Sequence, residues 1–502
     1  MNGTALPVVE ETKFLGLIFD SKLTFIPHLK YLRKKCLQAI NLLRVVGHYD
    51  WGADSTTLLK LYDSTIRSKL DYGCMVYGSA CDSYLKMLDP IQNKALRICL
   101  GAFRTSPIPS LQVYSKRPPL DLRRTKLGLQ YALQLKSNPL NPTHKIVFQP
   151  RFAELFANKP KSTPTFGIRT LNHFKTANIS LDNIGTIELP KTPPWTICSP
   201  SILLNLAEDK KSDTSSTFYM IKFKEIVENF SEYEQIYTDG SKQGDRVGAA
   251  ALIPNGAQKS IRLPNKSSIY SAELRALLLA LELIEGSTKK HFIIFSDSLS
   301  AMQALKNPHP DHPLVGEILS WHTNITVHLE LSIFFCWVPG HIGIPGNEQV
   351  DDLAKLAVNL DSSEEPMFFK DLKPSINEHL TNIWQNRWSQ SSPNKFLEIV
   401  PDLKGWKVPS LQQTRKDEVI MCRSRLGHAR LTHSYLLRNE DPPECIYCAC
   451  RLTVKHILIE CPDFELSRQK YFNCNTLPEL FEKTPEANIM TYLKEIGLYS
   501  RF

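Results

Sequence analysis

Apolar positions recur every three or four residues through the first part of the chain: Leu32, Cys36, Ala39, Leu43 and Val46 in one run, then Leu59, Tyr62, Ile66 and Leu70. A third run holds Leu85, Leu88, Ile91, Ala95 and Ile98. That spacing collects each set on one face of a helix, so 1–136 is predicted to be a helical segment. Beyond 137 the periodicity fades and prolines at 139, 142, 150, 160, 164, 190, 193, 194 and 200 punctuate the chain. Residues 137–230 therefore read as a proline-rich linker with weak local structure. From 233 the period changes. Short β-compatible runs at 233–238, 247–253 and 258–263 are separated by turn residues such as Gly240, Gly244, Pro254, Asn255 and Gly256. After them come a helical stretch at 271–284, an apolar strand at 291–296, helices at 299–306 and 314–323, a strand at 327–338 and a helix at 347–358. This order predicts an α/β domain over 231–360, a mixed five-stranded sheet with helices on both faces. The remaining 361–502 read as a helix-rich segment.

Composition narrows the class. Of 502 residues, 42% are hydrophobic and 22% charged, which argues against a disordered, collagen-like or coiled-coil chain. No apolar run approaches the roughly 18–20 residues of a membrane span, so no membrane association is expected. The first residues have neither a basic nor an apolar leader region, and the expected location is intracellular, nucleus or cytoplasm being open. The net charge of +9 is uneven: 1–150 carry 21 basic and 10 acidic side chains, 231–365 carry 10 and 17. The first segment suits a polyanion, whereas the second opposes one unless cations sit among its carboxylates. Twelve cysteines in a chain read as intracellular favour reduced thiols or a metal site over disulfides.

Four of those carboxylates stand at unusual places. Asp239 ends one apolar strand and Asp297 another, so both lie at the carboxyl mouth of a sheet, where open α/β folds place ligands. Glu273 begins the 271–284 helix and Asp351 stands near the start of the last one. Such a group repels itself unless a cation is present, and hard divalent ions with oxygen preference, above all Mg²⁺, are its natural occupants. Two ions about 3.5–4 Å apart can activate a water and stabilise the leaving oxygen of a phosphodiester. Taken singly, each acid also fits a turn or a helix cap.

Together with their flanks, these residues resemble a known family. Tyr237-Thr238-Asp239-Gly240-Ser241, Ser271-Ala272-Glu273, Phe295-Ser296-Asp297-Ser298 and the run from Trp337-Val338-Pro339-Gly340-His341 through Gly346-Asn347-Glu348-Gln349-Val350-Asp351-Asp352 look like type 1 ribonuclease H. The resemblance covers about 230–360 and implies a ribonuclease H-like sheet. It implies that Asp239, Glu273, Asp297 and Asp351 bind two Mg²⁺, with Mn²⁺ as a substitute, and that Asp239 bridges both ions. It further implies that His341 assists proton transfer or product departure and that Gly240, Ser241 and Ser298 lie along the substrate. Asn347 and Glu348 are expected to shape the helix entry. The implied reaction is endonucleolytic hydrolysis of the RNA strand of an RNA–DNA hybrid, leaving a 3′-hydroxyl and a 5′-phosphate. Bacterial-type members read the hybrid with Asn side chains before the glutamate and a Gln two residues after the third acid. Here stand Ile269, Tyr270 and Leu299, and 298–340 hold one Lys, Lys306, and no Arg.

The flanks carry a second resemblance. Residues 13–20, 58–78 with Leu70-Asp71-Tyr72-Gly73, and 88–97 are similar to the region just after the palm in reverse transcriptases of non-LTR retrotransposons of the jockey and R1 kind. No aromatic-x-Asp-Asp turn precedes residue 230, so the expected product is a truncated element polypeptide that does not polymerise. Near the other end, Cys445, Cys448, His456 and Cys461 have ligand types and spacing suited to tetrahedral Zn²⁺, with Cys450 as a competitor and reduced, partly buried thiols as the other reading. Arg423, Arg425, His428, Arg430 and His433 read equally as a nucleic-acid contact or a solvated face. The rival to a nuclease is a non-catalytic nucleic-acid-binding remnant.

Overall fold

The computed structural model describes residues 9–151, 153–158, 163–187, 193–208, 214–307, 310–407 and 414–502. The first eight residues, Pro160 and Pro190 lie outside them. Packing divides the chain into two units, one drawn from 1–129, 150–171 and 377–502, the other from 130–149 and 172–376.

In the first unit a hairpin, β1 (Glu11–Phe14) and β2 (Leu17–Asp20), leads into the helix Ile26–Val46. The Asp20 carboxylate accepts from the backbone N–H of Thr24 and Phe25 at 3.0 and 2.7 Å and so organises the helix entry. The three predicted apolar faces are buried: Leu32, Cys36 and Leu43, then Leu59, Tyr62, Ile66 and Leu70, then Leu85, Leu88, Ile91 and Ala95. The same core takes in Trp388, Phe396, Cys422 and Leu426 from far along the chain. A second cluster packs Ile420 and Met421 with Ile457, Leu480, Ile489 and Tyr492.

The second unit is built on a six-stranded sheet, one strand more than expected. Its strands are β3 (Ser201–Leu203), β4 (Glu234–Gln243), β5 (Arg246–Leu252), β6 (Gln258–Leu263), β7 (His291–Ser296) and β8 (Ser332–Trp337), in spatial order β3-β8-β7-β4-β5-β6. The extra edge strand β3 runs parallel to β8, pairing Ile202 with Phe335. Alternate residues of each strand face opposite sides. Ile236, Phe292 and Ile294 pack under the helices Ile269–Glu285 and Pro313–His328, while Tyr237, Ile293 and Phe295 pack under Ser216–Asn229 and Pro345–Ala357. Cover on both faces explains why 292–295 is apolar without alternation.

Two further expectations from sequence are corrected. The stretch 137–230 is not a weakly structured linker: it holds the helices Phe166–Thr176 and Ser216–Asn229 and the strand β3. Tyr219 and Phe223 of the second helix are buried, and Phe223 meets the Phe295 ring at 5.3 Å between centroids. The last strand begins at Ser332 rather than 327, because Val327 and His328 still belong to the preceding helix. No described helix is long and apolar enough to cross a membrane.

Candidate active site

β4 and β7 are adjacent and parallel, with Thr238 opposite Ser296. The next residue of each is an acid, so strand pairing alone brings Asp239 beside Asp297. The third acid arrives because β4 passes close to a helix at Gly240. A Cβ there would stand 2.9 Å from both Ala272 Cβ and the Glu273 backbone nitrogen, so only glycine permits the approach. Ser268 caps that helix by accepting from the Ser271 N–H at 3.0 Å, which places Glu273 in its first turns. Gly340 performs a similar service for Asp297, since a Cβ at 340 would lie 2.3 Å from Asp297 Oδ2. Carboxylate oxygens of Asp239, Glu273 and Asp297 all fall within 4.8 Å of one another.

Asp351 lies on the helix Pro345–Ala357 and is buried. Its Oδ2 accepts from Lys355 Nζ at 2.7 Å and stands 3.8 Å from His341 Nδ1. His341 sits on a loop with φ of 55° and is 68% exposed, free to meet solvent. Ligand atoms of His341, Glu348 and Asp351 form a second close group within 4.8 Å. Sequence reasoning gave Glu348 a part in the helix entry and missed Lys355, although both lie within four residues of Asp351, at distances that bring side chains together on one helix.

Burial, then the charges of Asp297 and Asp351, push the Asp239 carboxyl up to about 8, against the Gly240 N–H and Lys355. Burial first, then Asp239 and Asp297, raises Glu273 well above the usual carboxylate range. Glu273 Oε2 is also buried without a hydrogen-bond partner among the described residues. An all-oxygen donor set with an orphaned buried oxygen fits a hard divalent cation, which would neutralise the repulsion and give that oxygen a partner.

Of the remaining expected positions, Gly240 and Ser241 continue β4 beyond Asp239, and Ser298 is the residue before the helix Leu299–Ala304, its N–H donating to Ser296 Oγ at 3.2 Å. Ile269 is 44% exposed one turn before Glu273, whereas Tyr270 turns toward the His312 ring, 5.6 Å away.

In the other unit Cys445, Cys448, His456 and Cys461 converge, with ligand atoms within 4.8 Å and Cys461 Sγ 3.9 and 3.7 Å from the sulfurs of Cys445 and Cys448. Cys450 stands outside that group, its sulfur 3.6 Å from His456 Nδ1. The upstream basic residues are mostly structural. Arg425 is buried and paired with Glu486, and Arg423 donates to backbone oxygens of Gly101 and Phe502 at 2.9 and 2.7 Å; of these five residues Arg430 alone is exposed. Buried Arg425 therefore belongs to neither the nucleic-acid face nor the solvated face expected there, and half-buried Arg423 spends Nε and Nη1 on backbone oxygens of its own unit.

Comparison with known proteins agrees with this geometry. Residues 231–359 match the RNase H family. The chain is 34% identical over 102 residues to the "Probable RNA-directed DNA polymerase from transposon X-element" of Drosophila melanogaster, covering 19% of this chain and 11% of that protein. It is 31% identical over 131 residues, 26% of this chain and 13% of the relative, to the "Retrovirus-related Pol polyprotein from type-1 retrotransposable element R1" of Bradysia coprophila. The matches thus span only a small part of either relative. Sheet order, the meeting of acids from three elements and the family match agree that residues 231–359 form an RNase H domain, in a chain whose relatives are proteins of R1-type and X-element transposable elements.

Proposed function

We propose that the 231–359 domain hydrolyses the RNA strand of RNA–DNA hybrids, using divalent cations held by Asp239, Glu273, Asp297 and Asp351. The buried convergence of Asp239, Glu273 and Asp297 carries this reading, because carboxylates with raised proton affinity and an orphaned oxygen are a costly arrangement that bound cations would relieve. When bound, a pair of Mg²⁺ or Mn²⁺ ions supplies an activated water and charge neutralisation at the leaving oxygen. Asp239, which feels the charges of both Asp297 and Asp351, would be the carboxylate shared by the ions. Glu273, Asp297 and Asp351 would supply the remaining carboxylate oxygens that hold the ions. Exposed His341, its Nδ1 3.8 Å from Asp351 Oδ2, would exchange a proton with solvent or with the departing 3′ oxygen. Gly240, Ser241 and Ser298 lie along the path of the RNA strand. In the C-terminal segment, Cys445, Cys448, His456 and Cys461 hold Zn²⁺.

One observation favours the non-catalytic, nucleic-acid-binding reading: exposed Ile269 offers no hydrogen bond where a hybrid-reading side chain is expected. An end-labelled RNA–DNA hybrid incubated with the purified chain in Mg²⁺ or Mn²⁺ separates the two. Asp239→Asn should lower cleavage by about a thousandfold or more while the domain stays folded, on the scale of losing metal-assisted hydrolysis. Cleavage at wild-type rate by the folded variant would overturn the assignment of these acids, and no cleavage by the wild type with metal bound would count for the binding reading.

A further inference from the structure

A cleft of about 460 Å³ opens in the unit that does not contain the nuclease, between the π-helical turn Asp63–Arg67, the start of the helix Leu120–Lys136 and residues of the helix Lys373–Ser389. Its charges do not balance. Asp63 is engaged by Arg117, whose Nε lies 3.1 Å from both carboxylate oxygens, and Asp71 is engaged by Arg123 at 2.7 Å. Those pairs leave Arg67, Lys116 and Lys126 as surplus cations on the cleft wall.

Arg67 is 6% exposed, its nearest carboxylate oxygen is 3.9 Å away on the already engaged Asp63, and its Nε has no partner among the described residues. Lys126 has no carboxylate partner among the described residues; burial first, then the charges of Arg123 and Arg67, pull its ammonium below the usual lysine range. A buried guanidinium with a vacant donor beside a lysine whose charged neighbours are cations is unfavourable unless an anion joins them. Leu122, Leu380 and the half-buried Trp384 add apolar surface to the lining. The volume falls within the roughly 300–1,000 Å³ of small-molecule sites.

We propose that this cleft binds a nucleotide unit, its phosphate between Arg67 and Lys126 and its base against Trp384. The shared chemistry is a phosphate ester next to an aromatic base, whether in a free nucleoside 5′-phosphate or in an RNA strand. Base stacking on an aromatic side chain adds affinity to charge-assisted phosphate contacts. This inference does not depend on the nuclease reading, since no residue of the acidic site takes part.

The test is equilibrium binding by the full chain without added Mg²⁺ or Mn²⁺, which leaves the acidic site without its cations and the Cys/His group undisturbed, with AMP, adenosine and short RNAs carrying a 5′-phosphate or a 5′-hydroxyl. AMP should bind about tenfold or more tightly than adenosine, and Lys126→Glu should weaken AMP by a similar factor. Trp384→Leu should weaken AMP and adenosine alike. Arg67→Met checks the phosphate end, and circular dichroism checks that each variant folds. RNA binding that depends on Lys126 whatever the 5′ end would assign the phosphate to an internal phosphodiester; dependence on the 5′-phosphate would assign it to a strand end, and binding of AMP alone to a free nucleotide. Absence of AMP and RNA binding, or binding that folded Lys126→Glu and Trp384→Leu leave unchanged, would overturn the proposal.

Discussion

Asp239 is held in a pocket that favours its proton. In the folded, cation-free chain its carboxyl is pushed up to about 8 from the usual 3.8, so the folded state binds more protons than the unfolded state between those values. The stability contributed by that proton is fully present below about 3.8 and is lost as pH rises through about 8. In EDTA, melting of the domain should therefore move to lower temperature as pH increases from about 4 to 8. Asp239→Asn removes the charge, so its melting temperature should exceed that of the wild type at pH 8, by roughly 1–3 kcal/mol of stability, and the gap should close toward pH 5. Saturating Mg²⁺ should restore the wild type and leave the variant behind. A wild type as stable as the variant in EDTA at pH 8 would contradict this electrostatic account, and differential scanning fluorimetry can read it.

Elements meet at the site through close backbone approach. The path of β4 beneath the helix Ile269–Glu285 leaves no room for a Cβ at 240. Gly240→Ala should cost about 1–3 kcal/mol, the scale of overpacking, and should reduce cleavage far more than it reduces melting temperature, because the helix that moves carries Glu273. Hybrid cleavage and a thermal melt on one preparation check the pair. The helix Ser216–Asn229 and strand β3 complete the sheet outside the matched family region. A fragment of 193–376 should therefore be more stable than one of 231–359, by about 1.5–3 kcal/mol for each of Tyr219 and Phe223 whose burial the shorter piece loses. Urea melts of the two fragments decide it.

At the scale of the whole molecule, distant stretches share cores. Residues from 17–120 and from 388–426 make one apolar cluster, and the Cys/His group lies close in sequence to a second cluster through Val454, Ile457 and Leu458. The chain should bind one Zn²⁺ there, measurable by metal analysis. Cys461→Ser or chelation should loosen the segment from about 445 onward, seen as faster amide exchange in 454–493, while exchange in the RNase H domain stays unchanged. Unaltered exchange after complete metal removal would favour the reading of these residues as buried reduced thiols.

Several features were legible in the residues alone. The three- and four-residue periods of 32–46, 59–70 and 85–98 identified helix faces that are buried, because periodicity is a local consequence of which side meets the core. The four acids could be picked out because each stands next to a recognisable strand end or helix start, and the cysteine spacing because two thiolates with two residues between them suit one ion. Other features depend on partners far along the chain. Ser201–Leu203 is too short to declare itself and becomes a strand only because β8 offers an open edge. The helix Ser216–Asn229 comes after a proline-rich stretch and is fixed by the Phe295 face it covers. The commitment of Arg423 and Arg425 to partners far along the chain and the cation surplus around Arg67 likewise arise from packing. Local sequence determined the kinds of elements and the chemistry at their ends. Tertiary structure decided which charges are paired, buried or left over, because a charge's cost and use depend on neighbours that chain order does not name.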